Sequence, residues 1–146
     1  MERDYEVGIE RPVEDVFAVL SAVEKYHEWL PPSDIYLRTE LADDEPIKQG
    51  AKYVDIQKGA KMPGEVHIYE APRRIGFRQR LKMPLGSQLK VRIEYTLIAD
   101  GNGTHVVRHH VFQLPLLLRP AVLLLRFKII TENERIVAAL KRAVES

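Results

Sequence analysis

The sequence predicts an α+β fold in which helices pack on one face of an antiparallel sheet. Three observations lead to this fold class. Apolar and polar residues alternate through the middle of the chain, short turn-like connections separate the alternating segments, and apolar residues follow a helical period near both ends. The chain has 146 residues, the length of one ordinary domain, so we expect a single domain over residues 1–146.

The N-terminal part predicts one short strand followed by two short helices. Residues 4–10, DYEVGIE, alternate as a strand does. The apolar spacing then changes to the helical period and places Val13 and Phe17 on one face, with Pro12 suited to the first helical turn. The segment SAVEKYHEW predicts a second short helix, which the following Pro31-Pro32 must end.

The pair His27-Glu28 in the second predicted helix resembles the start of a zinc-binding HExxH motif. The position four residues after His27 is Pro31, whereas the motif requires a second histidine there. We therefore expect no metal site in this segment. Trp29 is the only tryptophan of the chain, and we expect a large core side chain that also lines the mouth of a cavity.

Six further strands are predicted after the double proline. The connections between them are short and rich in Gly, Pro and Asp, which favours an antiparallel meander. The clearest strand is LKVRIEYTL, in which every second residue from position 89 to position 97 is apolar or aromatic. One face of the sheet should therefore be buried and the other should face water. The predicted strands cover residues 35–39, 52–57, 64–70, 75–81, 88–98 and 104–114.

After Pro120 the helical period returns and holds to the C-terminus, predicting a helix of about 25 residues and roughly 37 Å. Arg126 and Asn133 interrupt its apolar face. Burying a guanidinium and an amide costs several kcal/mol unless partners or water satisfy them, so both are expected to face a cavity. In the alternative, Arg126 extends past the sheet edge into solvent and Asn133 bonds a strand carbonyl. The apolar residues of this face are Val122, Ile129, Ile136, Val137, Leu140 and Val144.

Three parts of the chain, taken in order, resemble the START-like or SRPBCC proteins, and among them the polyketide cyclase/dehydrase-like branch. These parts are IERPVEDVFAVLSAVEKYHEWLP, then GAKY with GEVHIYEAPRRIGFR, and finally GNGTHVVRHHVF leading into the C-terminal helix. The resemblance implies a helix-grip fold, in which a curved seven-stranded sheet surrounds the long helix and leaves a mainly apolar cavity. It also implies a ligand such as a lipid, a polyketide or a quinone.

Polar-tipped and apolar side chains on the strands facing the long helix are expected to line this cavity. The phase of the last strand stays open. Val107 and Val111 predict that His109 faces the cavity, whereas Val106 and Phe112 predict the opposite. With the first phase, the candidate ligand-binding residues are Trp29, Tyr53, Phe77, Gln79, Val91, Ile93, Tyr95, His109, Arg126 and Asn133.

The leading functional hypothesis is a binding protein for a small apolar or amphipathic molecule, because the sequence shows no complete catalytic set. Such a site needs a cavity larger than roughly 100 Å³. The rival hypothesis is a cyclase or dehydratase acting in the same cavity, where His109 or Arg126 polarises a carbonyl group. No catalytic residue is assigned, and neither a cofactor nor a metal is expected.

Composition and one apolar segment bear on partners and location. With 22 basic and 21 acidic residues the net charge is +1, so no nucleic-acid partner is expected. The absence of cysteine and of an N-terminal signal pattern favours the cytoplasm. The segment LPLLLRPAVLLLRF supports a third hypothesis, in which it contacts a membrane surface or a protein partner. A second copy of the chain is one such partner. Its charges and prolines argue against a membrane-spanning helix.

Overall fold

The computed structural model describes residues 1–44 and 46–146 and confirms the α+β helix-grip fold. Within these residues one strand is followed by two short helices, six strands and one long helix. The helices are α1 Val13–Ser21, α2 Tyr26–Trp29 and α3 Val122–Glu145. The strands are β1 Glu2–Ile9, β2 Tyr36–Leu41, β3 Lys52–Gln57, β4 Ala60–Glu70, β5 Arg74–Lys82, β6 Gln88–Asp100 and β7 Gly103–Gln113.

The strands form one curved antiparallel sheet in the order β1-β7-β6-β5-β4-β3-β2. From β2 to β7 each strand pairs with the next along the chain, as expected for short connections. β1 joins the sheet at its other edge by pairing with β7. The predicted meander of seven strands is therefore confirmed.

The fourth strand starts four residues earlier than predicted, because Pro63 and Gly64 lie inside it. A Pro-Gly pair is a common turn signal, but here both residues continue the strand. In the structure Gly64 serves the packing, since a Cβ atom there would lie 2.4 Å from Cζ of Tyr53. The Tyr53 ring thus crosses the strand at a point where only glycine leaves room.

The two short helices cover one end of the sheet. Val16 and Leu20 of α1 are completely buried in the core, which confirms the predicted inner face of this helix. Pro12 precedes α1 with extended backbone, φ −60° and ψ 157°, instead of lying in its first turn. The predicted second helix is divided into a 3₁₀ turn and α2, which ends before the double proline.

The long helix α3 is buried only in its C-terminal half. Leu140 is completely buried and Val144 is 8% exposed, whereas Leu124 and Phe127 are 87% and 81% exposed. Residues 123–128, at the start of α3, are all exposed. No helix in the described part of the chain combines the length and apolar character needed to cross a membrane.

Candidate functional site

A small cavity lies between the sheet, α2 and α3 and encloses about 70 Å³. This volume is below the roughly 100 Å³ that a ligand site needs. The expected size of the cavity is therefore wrong for this conformation. The apolar part of the wall consists of Val23, Trp29, Leu30, Phe77, Ile93 and Ile136. The polar-tipped part consists of Tyr26, Tyr36, Thr39, Tyr53, Asp55, Gln79, Tyr95 and Arg108.

The cavity brings together six of the ten candidate residues, namely Trp29, Tyr53, Phe77, Gln79, Ile93 and Tyr95. Their strands alternate as the sequence indicates, so these side chains share the concave face. Val91 is 9% exposed on the same face of β6 but does not line the cavity. Asn133 is 3% exposed and lies behind the wall, where it holds Arg108.

His109 lies outside the cavity, which corrects the phase used for the last strand. The even-numbered residues of β7 face the core, so His109 points to the outer face of the sheet beside β1. Its Nδ1 is 2.5 Å from Asp4 Oδ1, and its Nε2 is 2.8 Å from Glu2 Oε1. The hydrogen bond to Asp4 raises the pKa of His109 above its ordinary value.

Arg126 also lies outside the cavity, because the uncovered part of α3 carries it. The residue is exposed, although it shares a helix face with the buried Asn133. Helical periodicity identifies the face but not the length over which the sheet covers it. The alternative interpretation, in which Arg126 extends into solvent, therefore describes its position.

Arg108 is the cavity residue that the predicted set lacks. It is 5% exposed and lies on the inner face of β7, one position before His109. Val106 and Phe112, which favour the opposite strand phase, were the signal that could have identified it.

Hydrogen bonds fix the guanidinium of Arg108 between the sheet and α3. Its Nε donates to Oδ1 of Asn133 at 2.8 Å, and its Nη1 donates to the hydroxyl of Tyr95. The Arg108 Cζ atom lies 5.1 Å from the centroid of the Tyr95 ring, which adds a cation–π contact. Asn133 in turn donates to the Ile129 carbonyl at 2.8 Å, so its amide orientation is set by α3 itself.

Asp55 provides an acidic group in the same wall. Its Oδ1 accepts a hydrogen bond from Thr39 at 2.6 Å, and its Oδ2 accepts one from Gln79 at 2.5 Å. Thr39 also bonds the hydroxyl of Tyr36 at 2.6 Å, so four side chains form a continuous network. Burial raises the pKa of the Asp55 carboxyl, although both donors and the charge of Arg108 act against this rise.

Two fully buried polar atoms of the wall have no hydrogen-bond partner within the described residues: the hydroxyl of Tyr53 and the indole Nε1 of Trp29. Both side chains line the cavity. Burial raises the pKa of Tyr53 well above its ordinary value, so the hydroxyl stays protonated and can donate. Buried donors of this kind normally bind water or a ligand.

The site shows no arrangement for a metal. Among residues 1–44 and 46–146, no group of three or more His, Cys, Asp or Glu side chains is placed to hold a metal ion.

A model of the family described as "Polyketide cyclase / dehydrase and lipid transport" matches residues 3–145. The chain belongs to this family. The resemblance seen in the sequence is therefore confirmed over nearly the whole chain. A comparison with curated protein sequences finds no match.

Solved structures share the fold of this family member at low sequence identity. The Zhui aromatase/cyclase from Streptomyces sp. R1128 is 16% identical with a TM-score of 0.77, covering 99% of this chain and 93% of that one. Hypothetical protein jhp0584 from Helicobacter pylori is 11% identical with a TM-score of 0.81, covering 99% and 88%. Protein MLL2253 from Mesorhizobium loti is 18% identical with a TM-score of 0.68, covering 97% and 98%.

Proposed function

We propose that this family member binds a small apolar or amphipathic molecule carrying an oxygen acceptor, such as a carbonyl or carboxylate group. The observation behind the proposal is the state of Arg108, which is 5% exposed and lines the cavity. Within the described residues its hydrogen bonds use only Nε and Nη1, and both acceptors are neutral groups. A guanidinium has five N–H donors, so donors remain for an oxygen atom of a ligand.

A ligand carboxylate would also bring a negative charge to Arg108, and a ligand carbonyl would bring the negative end of its dipole. Within the described residues no carboxylate forms an ion pair with Arg108, although the charge of Asp55 in the same wall interacts with it, and a charge-assisted hydrogen bond to a ligand would add to this stabilisation. The unpaired hydroxyl of Tyr53 supplies a second donor in the same wall. Phe77, Ile93 and Ile136 supply apolar surface for the rest of the molecule.

Binding requires the wall to open, because 70 Å³ holds only about two water molecules at roughly 30 Å³ each. The element suited to move is α2. It is a single turn without a side-chain cap, and none of its four residues is buried. Tyr26 and Trp29 pack against the core, but a single uncapped turn has few backbone hydrogen bonds to break and can open at a lower free-energy cost than the longer elements. We therefore expect ligand entry to displace Trp29 and its neighbours in α2.

Trp29 makes the proposal directly testable, because the only tryptophan of the chain lines the cavity. Titration with dodecanoate is expected to change the tryptophan fluorescence, and dodecanol should bind more weakly because it lacks the carboxylate. Replacement of Arg108 with methionine should weaken dodecanoate binding by about tenfold to a hundredfold, the value of a hydrogen bond to a charged group.

The matched control is Arg126→Met, which removes the same charge from an exposed position and should leave binding unchanged. Thermal unfolding of both variants establishes that they are folded. Equal affinities of Arg108→Met and the parent chain, or no response of Trp29 to any apolar acid, alcohol or aromatic ketone, would contradict the proposal.

Asp55 supports a second candidate function, a polyketide cyclase or dehydratase. The pKa of the Asp55 carboxyl is raised in the direction of neutral pH, which suits a general acid or base. The structural neighbours include proteins named as aromatase/cyclases, among them the di-domain BexL, of which this chain spans 50%. With His109 and Arg126 outside the cavity, Arg108 takes the role of polarising a carbonyl oxygen.

In the cyclase function, ionised Asp55 would remove a proton from the carbon between two carbonyl groups. The resulting enolate carbon would attack the carbon of another carbonyl group farther along the same molecule, forming the new ring bond. The alkoxide product would take the proton back, and loss of water from the β-hydroxy ketone would complete the dehydration. Arg108 would stabilise the developing oxygen charge throughout.

A poly-β-ketone thioester distinguishes the two functions when ring formation is followed by ultraviolet absorbance. If the chain is a cyclase, Asp55→Asn should lower the rate by about a hundredfold or more while dodecanoate still binds. Asp4→Asn on the outer face is the matched control and should retain the parent rate. Binding of the thioester without accelerated ring formation would contradict the enzymatic function and leave the binding function standing.

A further inference from the structure

We infer that the exposed apolar and basic side chains of residues 116–128 form a docking surface for an anionic membrane. We call this surface the apolar–basic patch. It includes the 3₁₀ turn Leu116–Ala121 and the first turns of α3. The inference does not depend on the proposed ligand site, because none of these residues lines the cavity.

Exposed apolar side chains are concentrated in the patch. Of the nine large apolar residues that are exposed within the described part of the chain, seven lie between positions 116 and 127. Leu117, Leu124 and Phe127 are 88%, 87% and 81% exposed. Scattered exposed leucines are common on protein surfaces, but a contiguous group of this size is typical of an interaction site.

The charges of the patch specify its partner. Arg119, Arg126 and Lys128 are all exposed and stand among the apolar residues. The sequence contains no Asp or Glu between Asp100 and Glu132, so no acidic side chain in this segment offsets them. A surface with a basic character and exposed Leu and Phe complements anionic lipid headgroups above an apolar acyl layer.

The form of the patch also favours a lipid surface over a protein groove. Leu123, Leu124 and Phe127 fall on neighbouring positions of the helix surface and project from it, since all three are more than 70% exposed. Projecting apolar side chains can enter the boundary between headgroups and acyl chains. The long stems of Arg126 and Lys128 let their charges remain at the level of the phosphates.

Vesicle flotation of the full chain tests the inference, with vesicles of phosphatidylcholine alone and of phosphatidylcholine mixed with phosphatidylglycerol. We expect binding to the anionic vesicles, weaker binding to the neutral ones, and loss of binding as the salt concentration rises. The double variant Leu124→Asn/Phe127→Asn should bind about tenfold more weakly or worse, because it removes inserted apolar surface. Arg126→Gln/Lys128→Gln should bind about 25-fold more weakly, at about fivefold for each of the two cations.

The matched controls lie outside the patch and should bind as the parent chain does. Leu85→Asn removes a leucine that is 101% exposed, and Arg80→Gln/Lys82→Gln removes two exposed cations from β5. All the substituted residues are exposed, so we expect every variant to fold and any loss of vesicle binding to come from the changed surface. Far-ultraviolet circular dichroism checks that each variant is folded. The inference is overturned if the parent chain ignores anionic vesicles, or if the patch variants bind them as strongly as the controls do. Self-association that Leu124→Asn/Phe127→Asn abolishes, without vesicle binding by the parent, would assign the patch to a second copy and overturn it equally.

Discussion

Replacement of Asn133 with leucine is expected to lower the free energy of unfolding by about 2–3 kcal/mol, the cost of leaving a buried charged donor without its acceptor. The Oδ1 atom of Asn133 is the acceptor for Nε of Arg108, and both residues are almost completely buried. Leucine has the same number and branching of side-chain heavy atoms as asparagine but offers no acceptor. The guanidinium would keep only Tyr95 among the partners described for it.

A double-mutant cycle separates this effect from a simple packing defect. The variant Arg108→Met/Asn133→Leu removes the charge together with its partner, so about half or more of the lost stability should return. Urea denaturation of the parent, both single variants and the double variant gives the coupling free energy. Gln113→Leu, at an exposed end of β7, is the control and should change stability by less than about 0.5 kcal/mol. A double variant no more stable than Asn133→Leu alone would show that Arg108 does not depend on Asn133.

The inner face of the sheet could be predicted where the alternation is clear. In β5 and β6 the inward positions carry Phe77, Gln79, Ile93 and Tyr95, while the outward positions are mostly charged. A polar residue such as Gln79 could be placed because its neighbours two positions away are apolar. The pattern of one strand is then enough to choose the face.

The last strand could not be placed in this way because both of its faces carry valines. Val106 points into the core and Val107 points outward, next to the pairing with β1. The choice depends on Arg108, whose partners inside the fold include Asn133, 25 residues later on α3. Such a pairing between distant parts of the chain leaves no periodic signal in the sequence.

The extent of burial along α3 and the size of the cavity were also beyond the sequence pattern. Arg126 and Asn133 occupy the same helix face, yet the sheet covers only the second of them. The volume of 70 Å³ depends on how the side chains that line the cavity pack against one another, including Tyr26 and Trp29 of α2. Periodicity indicates a face, whereas coverage and volume follow from three-dimensional packing.

Acidification is expected to destabilise the chain through His110. This residue is buried on the inner face of β7, whereas the strand phase that places His109 in the cavity would expose it. His110 is 7% exposed, and its Nδ1 has no hydrogen-bond partner among the described residues. Burial, with a contribution from the charge of Arg108, lowers the pKa of His110 from 6.5 to about 3. Below pH 6.5, His110 therefore binds a proton in the unfolded chain but stays neutral in the folded chain until the pH approaches 3.

The sign of the effect follows from this difference in proton binding. The contribution of neutral His110 is fully present above pH 6.5 and is lost as the pH falls toward 3. The slope is about 1.4 kcal/mol per pH unit, so the loss reaches about 2.7 kcal/mol near about pH 4.5. His110→Leu should remove this part of the acid sensitivity, as measured by urea denaturation across the same range.

His109 provides a matched comparison of opposite sign on the outer face of the same strand. Because Asp4 raises the pKa of His109, its ion pairs stabilise the fold fully below pH 6.5 and lose strength as the pH rises through the raised value. His109→Gln should thus lower stability in acid and retain the acid slope that His110 causes. If His110→Leu and the parent chain lose stability in parallel between pH 6.5 and pH 3, the buried histidine is not the source of the acid sensitivity. Two adjacent histidines with opposite responses would also establish in solution which face of β7 lines the core.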